Sequence, residues 1–143
     1  MTALPDPHYQ AEFYADTPVK RLIAWIVDAF VIFVMSFILA VLTLGLGFFI
    51  FFGLFMVLGF AYRVVTLANG SATWGMRLVA IELRTADGAR FSLLPAFLHT
   101  LGYSVSIGMP LLQLVSIVLM LTTERRQGLT DLVLGTVAIN RAA

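Results

Sequence analysis

Two long apolar blocks separated by a polar insert dominate the chain. From Leu22 to Tyr62 only Asp28 is charged, and from Leu93 to Thr123 nothing is. The first block runs for 41 residues. As a single helix it would span about 62 Å, twice the roughly 30 Å of a hydrocarbon core. It must therefore fold back on itself. Leu44-Gly45-Leu46-Gly47 is the step where it does so, because glycine permits the backbone angles of a tight turn. The pattern predicts one helix from about Val19 to Leu44 and a second from about Phe48 to Leu67. Thr17 before Pro18 suits a helix start, since proline in the first turn gives up an N–H that has no partner there.

The insert, Asn69 to Ser92, opens on the turn-forming Asn69-Gly70-Ser71. Met76 to Thr85 reads MRLVAIELRT, an alternation that predicts a strand rather than a helix. Ala86-Asp87-Gly88 supplies a hairpin turn, with Ala89 to Ser92 returning as a short second strand. Thr136 to Asn140 (TVAIN) is a further β-branched run, placed as a third strand because a lone hairpin is marginal in water.

The second block, 93–123, is interrupted by Gly108-Met109-Pro110. It is either one kinked span or a short helical hairpin with both ends on one side. The hairpin is preferred. It keeps every basic residue on one face of the membrane, as the bias of Lys and Arg toward the cytoplasm requires, and it lets TVAIN reach the insert. Its halves are too short to span independently, so they must pack on other helices or on a second subunit.

Composition narrows the class. The 143 residues are 60% hydrophobic and 12% charged, with a mean hydropathy of +0.96, against roughly 25% charged in a soluble domain. That excludes an ordinary soluble domain and selects a multi-pass membrane protein. Nine Lys and Arg balance eight Asp and Glu, so no basic field points to nucleic acid. Zero cysteines and two distant histidines, His8 and His99, provide no metal site, and no nucleotide loop or catalytic constellation appears, so neither cofactor nor enzymatic activity is expected. Residues 1–18 carry three acidic residues before any base, unlike a secretory signal, and read as a loose polar tail. Lys20, Arg21 and Arg63 are placed to snorkel at the membrane boundary.

Asp28 stands out, because a carboxylate two turns into an apolar helix costs a few kcal/mol unless it is paired. It is either an ion or proton site, a contact with a polar ligand, or a structural clasp to another helix. Arg21, seven residues earlier, lies on the same face, about 10 Å away along the axis. Asp131, in Arg125-Arg126-Gln127-Gly128-Leu129-Thr130-Asp131, follows the last apolar block and reads as part of a basic flank, with a pairing to Arg21 or Arg77 as the functional alternative. His99 reads as a hydrogen-bonded structural histidine.

Three stretches together resemble the RDD family of small bacterial membrane proteins, named for one arginine and two aspartates. They are Lys20 to Asp28 (KRLIAWIVD), Ser71 to Leu78 (SATWGMRL) and Arg126 to Asp131 (RQGLTD) with Gly135-Thr136, in family order across residues 20–140. The resemblance places the family's arginine on Arg21 and its aspartates on Asp28 and Asp131; Thr73, Arg77, Arg126 and His99 are read as supporting residues. Met76 stands where the family usually has Lys, and Thr130 where it usually has His. Loss of that histidine removes an easy titrating partner for Asp131.

The expectation is a single membrane domain over 1–143, an all-α transmembrane bundle of two full spans and a broken third block. It divides into a polar tail (1–18), a helical hairpin (19–67), a cytoplasmic β-hairpin (69–92), the broken block (93–123) and a C-terminal cap (124–143) that completes a three-stranded sheet. The expected place is the bacterial inner membrane, as a homo-oligomer in the lipid bilayer. The expected function is transport of a small cation, with or without proton exchange, through Asp28. The alternative is a membrane scaffold or assembly partner in which Arg21, Asp28 and Asp131 are structural.

Overall fold

A computed structural model describes residues 4–141. Helix α1 covers Thr17–Leu42 and α2 covers Phe51–Ala68, and both are long and apolar enough to cross a bilayer. The turn between them includes a short 3-10 segment, Leu46–Phe48, with Leu44 and Gly45 in the left-handed region at φ 60° and 88°. Thr43 Oγ1 accepts from Gly47 N at 2.8 Å and holds that turn, so α2 starts three residues later than expected. What α1 buries is small or polar: Thr17, Ala24, Asp28, Ser36 and Ala40. Most of its Leu, Ile, Val and Phe side chains point outward, and on α2 Phe52, Val57 and Val65 do so while Leu67 is buried. In a solvent of acyl chains that is the favourable arrangement, because small residues let helices approach and large apolar ones need no cover.

The second apolar block is a bent pair, α4 (Leu93–Gly108) and α5 (Pro110–Thr122), crossing at 117°. Pro110 begins α5, where it needs no N–H partner, and Ser106 Oγ donates to Gln113 Oε1 across the bend at 2.9 Å. Both outer ends of the pair return to the same end of the molecule. Phe91, just before α4, donates its N–H to Ser71 Oγ (2.9 Å), and Gln127, just after α5, donates to the Thr136 carbonyl (2.7 Å). Both arms of the bent pair thus reach the cap.

At that end sits a small cap. It comprises α3 (Trp74–Leu78), β1 (Ile81–Arg84), α6 (Leu129–Leu134) and β2 (Val137–Asn140). The expected pairing of TVAIN with the insert is present, antiparallel, with Leu83 opposite Ala138 and Glu82 opposite Ile139. Two expectations need correction. Met76 to Leu78 is helical, not extended, because Thr73 caps a turn there by accepting from Met76 N, and Ala80 at φ 58° then redirects the chain into β1. Among the described residues the sheet has two strands, not three. The 86–88 turn forms and Arg84 bridges to Arg90, but the Phe91 amide is diverted to Ser71, so the return segment leaves the ladder.

The N-terminal segment is not a loose tail either. Tyr14 is buried against Val137 and Ile139, with its hydroxyl on the Pro5 carbonyl at 2.8 Å, and Lys20 Nζ reaches Asn140 Oδ1 at 2.6 Å. Buried Glu82 gathers Arg84, Arg90 and Arg141 around it, which concentrates positive charge at the cap.

The register is open to a direct check. In the cysteine-free chain, Leu83→Cys with Ala138→Cys should form a disulfide under mild oxidation, whereas Leu83→Cys with Asn140→Cys should not. The opposite result would mean a sheet slipped by two residues.

Candidate functional site

Of the three buried acids among the described residues, Asp28 and Asp131 are each the centre of a clasp between elements. The first is built around Asp28. Gly75, in the first turn of α3, lies so close to α1 that a Cβ on it would sit 2.2 Å from the Ala24 carbonyl oxygen. Only glycine allows that approach. It brings Gly75 N to Asp28 Oδ1 at 2.9 Å, where the carboxylate satisfies one of the helix's orphan amides. Tyr62, near the end of α2, donates its hydroxyl to the same oxygen at 2.7 Å. Thr73 Oγ1 donates to Oδ2 at 2.6 Å while also accepting the α3 cap bond from Met76 N. One carboxylate thus ties α1, α2 and α3 together.

The second clasp is built around Asp131, in the first turn of α6 and fully buried. Its Oδ2 accepts from Arg21 Nη1 of α1 at 2.5 Å and from Gly128 N at 3.1 Å. Its Oδ1 accepts from Thr136 Oγ1 at 2.7 Å and lies 2.8 Å from His99 Nε2 of α4. A carboxylate only accepts, so the ring proton belongs on Nε2; Nδ1 is buried without a partner. Burial alone would push the Asp131 carboxyl up, but the Arg21 charge and the His99 hydrogen bond outweigh it and hold the group well below the usual carboxylate range. α4 comes this close to α6 because Gly102 faces Thr130, whose Cγ2 would be 2.5 Å from a Cβ there.

These contacts sort the residues picked out from the sequence. Arg21 and Asp131 form an ion pair; Asp28 stands apart from it, joined instead to Thr73. His99 is the hydrogen-bonded histidine expected, and it supplies from α4 the imidazole that position 130 lacks. Arg77 and Arg126 belong to neither clasp. Arg77 donates to the Asn69 carbonyl at 2.8 Å beyond the end of α2, and Arg126 to the Leu121 carbonyl at 2.9 Å at the end of α5. Both serve as helix C-terminal caps. Among the described residues no group of acids and histidines is arranged to hold a metal.

Sequence reasoning missed Tyr62, Gly75 and Thr136 as partners of the acids. It also misplaced Arg63, which does not snorkel. Arg63 is 9% exposed, with its guanidinium 4.1 Å from the centre of the Tyr103 ring. Two cavities meet around it. The larger, about 490 Å³, reaches Arg21, Asp28, His99 and Asp131 between α1, α4, α5 and α6. The smaller, about 130 Å³, lies between α1, α2 and α4. Asp28, Arg63, Trp25 and Tyr103 border both.

Apolar helices that bury small and polar residues, together with a polar cap and carboxylate clasps, define a class: small helical proteins built for a lipid surrounding. Within that class the chain belongs to the RDD family, whose sequence model matches residues 15–135. It matches no curated protein and no solved structure.

Two predictions follow from the clasps' geometry. Gly75→Ala should lower stability by about 1–3 kcal/mol, the cost of overpacking a tight contact, read as a lower thermal midpoint in detergent; an unchanged midpoint would contradict the close approach. Asp131 titrates lower when folded than when unfolded, so its contribution is complete above about pH 3.9 and fades as pH falls through the folded value. Asp131→Asn should therefore be destabilised by about 3 kcal/mol at neutral pH, with a gap from wild type that narrows in acid. A gap independent of pH would contradict the ion pair.

Proposed function

We propose that the protein is a non-enzymatic membrane scaffold, in which Arg21, Asp28 and Asp131 lock apolar helices to a polar cap. The observation that carries this reading is the saturation of both acids. Asp28 accepts three hydrogen bonds from α2 and the start of α3. Asp131 accepts from α1, from Gly128 and from Thr136, and pairs with His99. A cation arriving at Asp28 would have to displace three well-placed donors, each worth about 1–3 kcal/mol to a buried acceptor. In this reading the protein sits in the bacterial inner membrane with its cap in the cytoplasm, which agrees with the bias of basic residues toward that side. Assembly into a homo-oligomer belongs to the same reading, because the short arms of the α4–α5 hairpin present bare apolar faces that a second copy would cover.

A second reading, transport of a small cation through Asp28, is favoured by one observation: Asp28 borders both cavities, so a path joining them would pass it. The two readings part cleanly on the same variants. As a scaffold, Asp28→Asn, Asp131→Asn and Arg21→Gln all lower the thermal midpoint, and wild-type proteoliposomes pass cations and protons no faster than empty ones. As a transporter, wild-type liposomes carry a cation, and Asp28→Asn abolishes that flux in a protein that stays folded. Measured wild-type flux with intact but inactive Asp28→Asn would replace the scaffold reading.

A further inference from the structure

Arg63 is a buried cation that the two clasps leave out. It sits on α2, five residues before the helix ends at the cap, about 7.5 Å along the axis. Among the described residues its Nε has no acceptor and no carboxylate forms an ion pair with the guanidinium. The Tyr103 ring beneath it offers a cation–π contact, which does not replace the hydrogen bonds lost on leaving water. Asp28 and Asp131 are near but fully engaged elsewhere. A guanidinium in this condition is short of anionic oxygens.

The space in front of it has a fitting shape. The cavity of about 490 Å³ is bordered by Arg63, by the Arg21–Asp131 ion pair and by the hydrogen-bonded Asp28, and its apolar lining includes Leu22, Trp25, Ile107, Ile117, Met120 and Leu121. Arg21, four residues into α1, lies at about the same depth as Arg63, about 6 Å from the cap end of its helix. At the rim, Val19, Leu22 and Leu121 are each more than half exposed on the outward-facing surface, so the cavity opens sideways to the surrounding lipid rather than only toward the cap. Charge at headgroup depth and an apolar trough leading away from it match one occupant in both halves.

We propose that this cavity binds an anionic membrane lipid of the cap-side leaflet, with its phosphate oxygens on the Arg63 guanidinium and one acyl chain along the α1–α5 trough. A free inorganic anion would satisfy Arg63 but would leave the apolar wall unused, and a zwitterionic lipid would bring a cation toward the unpaired Arg63 guanidinium. Arg63 is therefore the residue that selects headgroup charge, and Ile117 and Leu121 form the surface that selects a chain.

Trp25 in the trough provides the readout. With Trp74→Phe as background, Trp25 is the sole tryptophan. In nanodiscs, lipids with brominated chains quench it on contact. Brominated phosphatidylglycerol should quench with about tenfold higher apparent affinity than brominated phosphatidylcholine, the scale of one charge-assisted contact. Arg63→Gln should remove that preference, Arg63→Lys should keep part of it, and Arg126→Gln, away from the cavity, should leave it unchanged. Ile117→Trp in that background would confound the signal, so the filling variant is Ile117→Phe, which should weaken quenching by both lipids while Arg63 remains. If Arg63→Gln does not fold, the filling variant and competition by inorganic phosphate decide. Equal quenching by the two lipids, a preference that survives Arg63→Gln, or reversal of quenching by inorganic phosphate would each overturn the proposal. None of these readings depends on flux or on the thermal effect of the aspartate variants, so failure here is distinct from failure of the scaffold reading.

Discussion

A carboxylate buried among apolar helices has to find its full set of donors within the protein, and most of this fold is arranged around meeting that need twice. In a hydrocarbon surrounding, water is not available to complete the set, and an unsatisfied polar group costs several kcal/mol. Asp28 meets the requirement by drawing Tyr62 of α2, and Thr73 and Gly75 at the start of α3, onto α1. Asp131 meets it by drawing Arg21 of α1 and His99 of α4 onto α6. The acids are the nodes at which elements far apart in sequence converge, and the small residues Gly75 and Gly102 are the clearances that let them do so.

The same need explains the distribution of side chains. Attraction between large apolar groups gains little where the solvent is itself apolar, so close packing and hydrogen bonding hold such helices together. α1 accordingly turns Ala24, Asp28, Ser36 and Ala40 inward and its phenylalanines outward. At the cap, where water returns, the usual order resumes: Leu67, Ala72, Ile81, Leu83, Phe91 and Ala138 form an apolar core beneath the two strands. The polar clasps join these two regimes. Arg63 belongs to neither, a buried cation whose Nε has no acceptor among the described residues.

Much of this was legible in the amino-acid order, and the remainder failed for identifiable reasons. The two long helices followed from apolar length, the bend at Met109 from Pro110, and the β1–β2 pairing from two β-branched runs that a shared side of the membrane brings together. The isolation of Asp28 in an apolar helix marked it before any contact was known. Its partners Tyr62 and Gly75 were hidden because they acquire meaning only when α3 folds back across α1. The MRLVAIELRT alternation was misleading at its start, since a Thr73 cap outweighs period two over three residues. The third strand was lost to a single side chain, Ser71, which takes the amide the ladder needed. Arg63 looked like a boundary residue because sequence position gives depth along a helix and not the face that is buried.

The central claim is that Asp28 is a lock made by its donors. A double-mutant cycle on thermal or denaturant stability, combining Asp28→Asn with Tyr62→Phe, measures it most directly. Groups that share one hydrogen bond couple by about 0.5–3 kcal/mol, so the double variant should be less destabilised than the sum of the two single ones by that amount. Strict additivity, with each substitution acting independently of the other, would mean that Tyr62 and Asp28 do not act as a unit and would contradict the account.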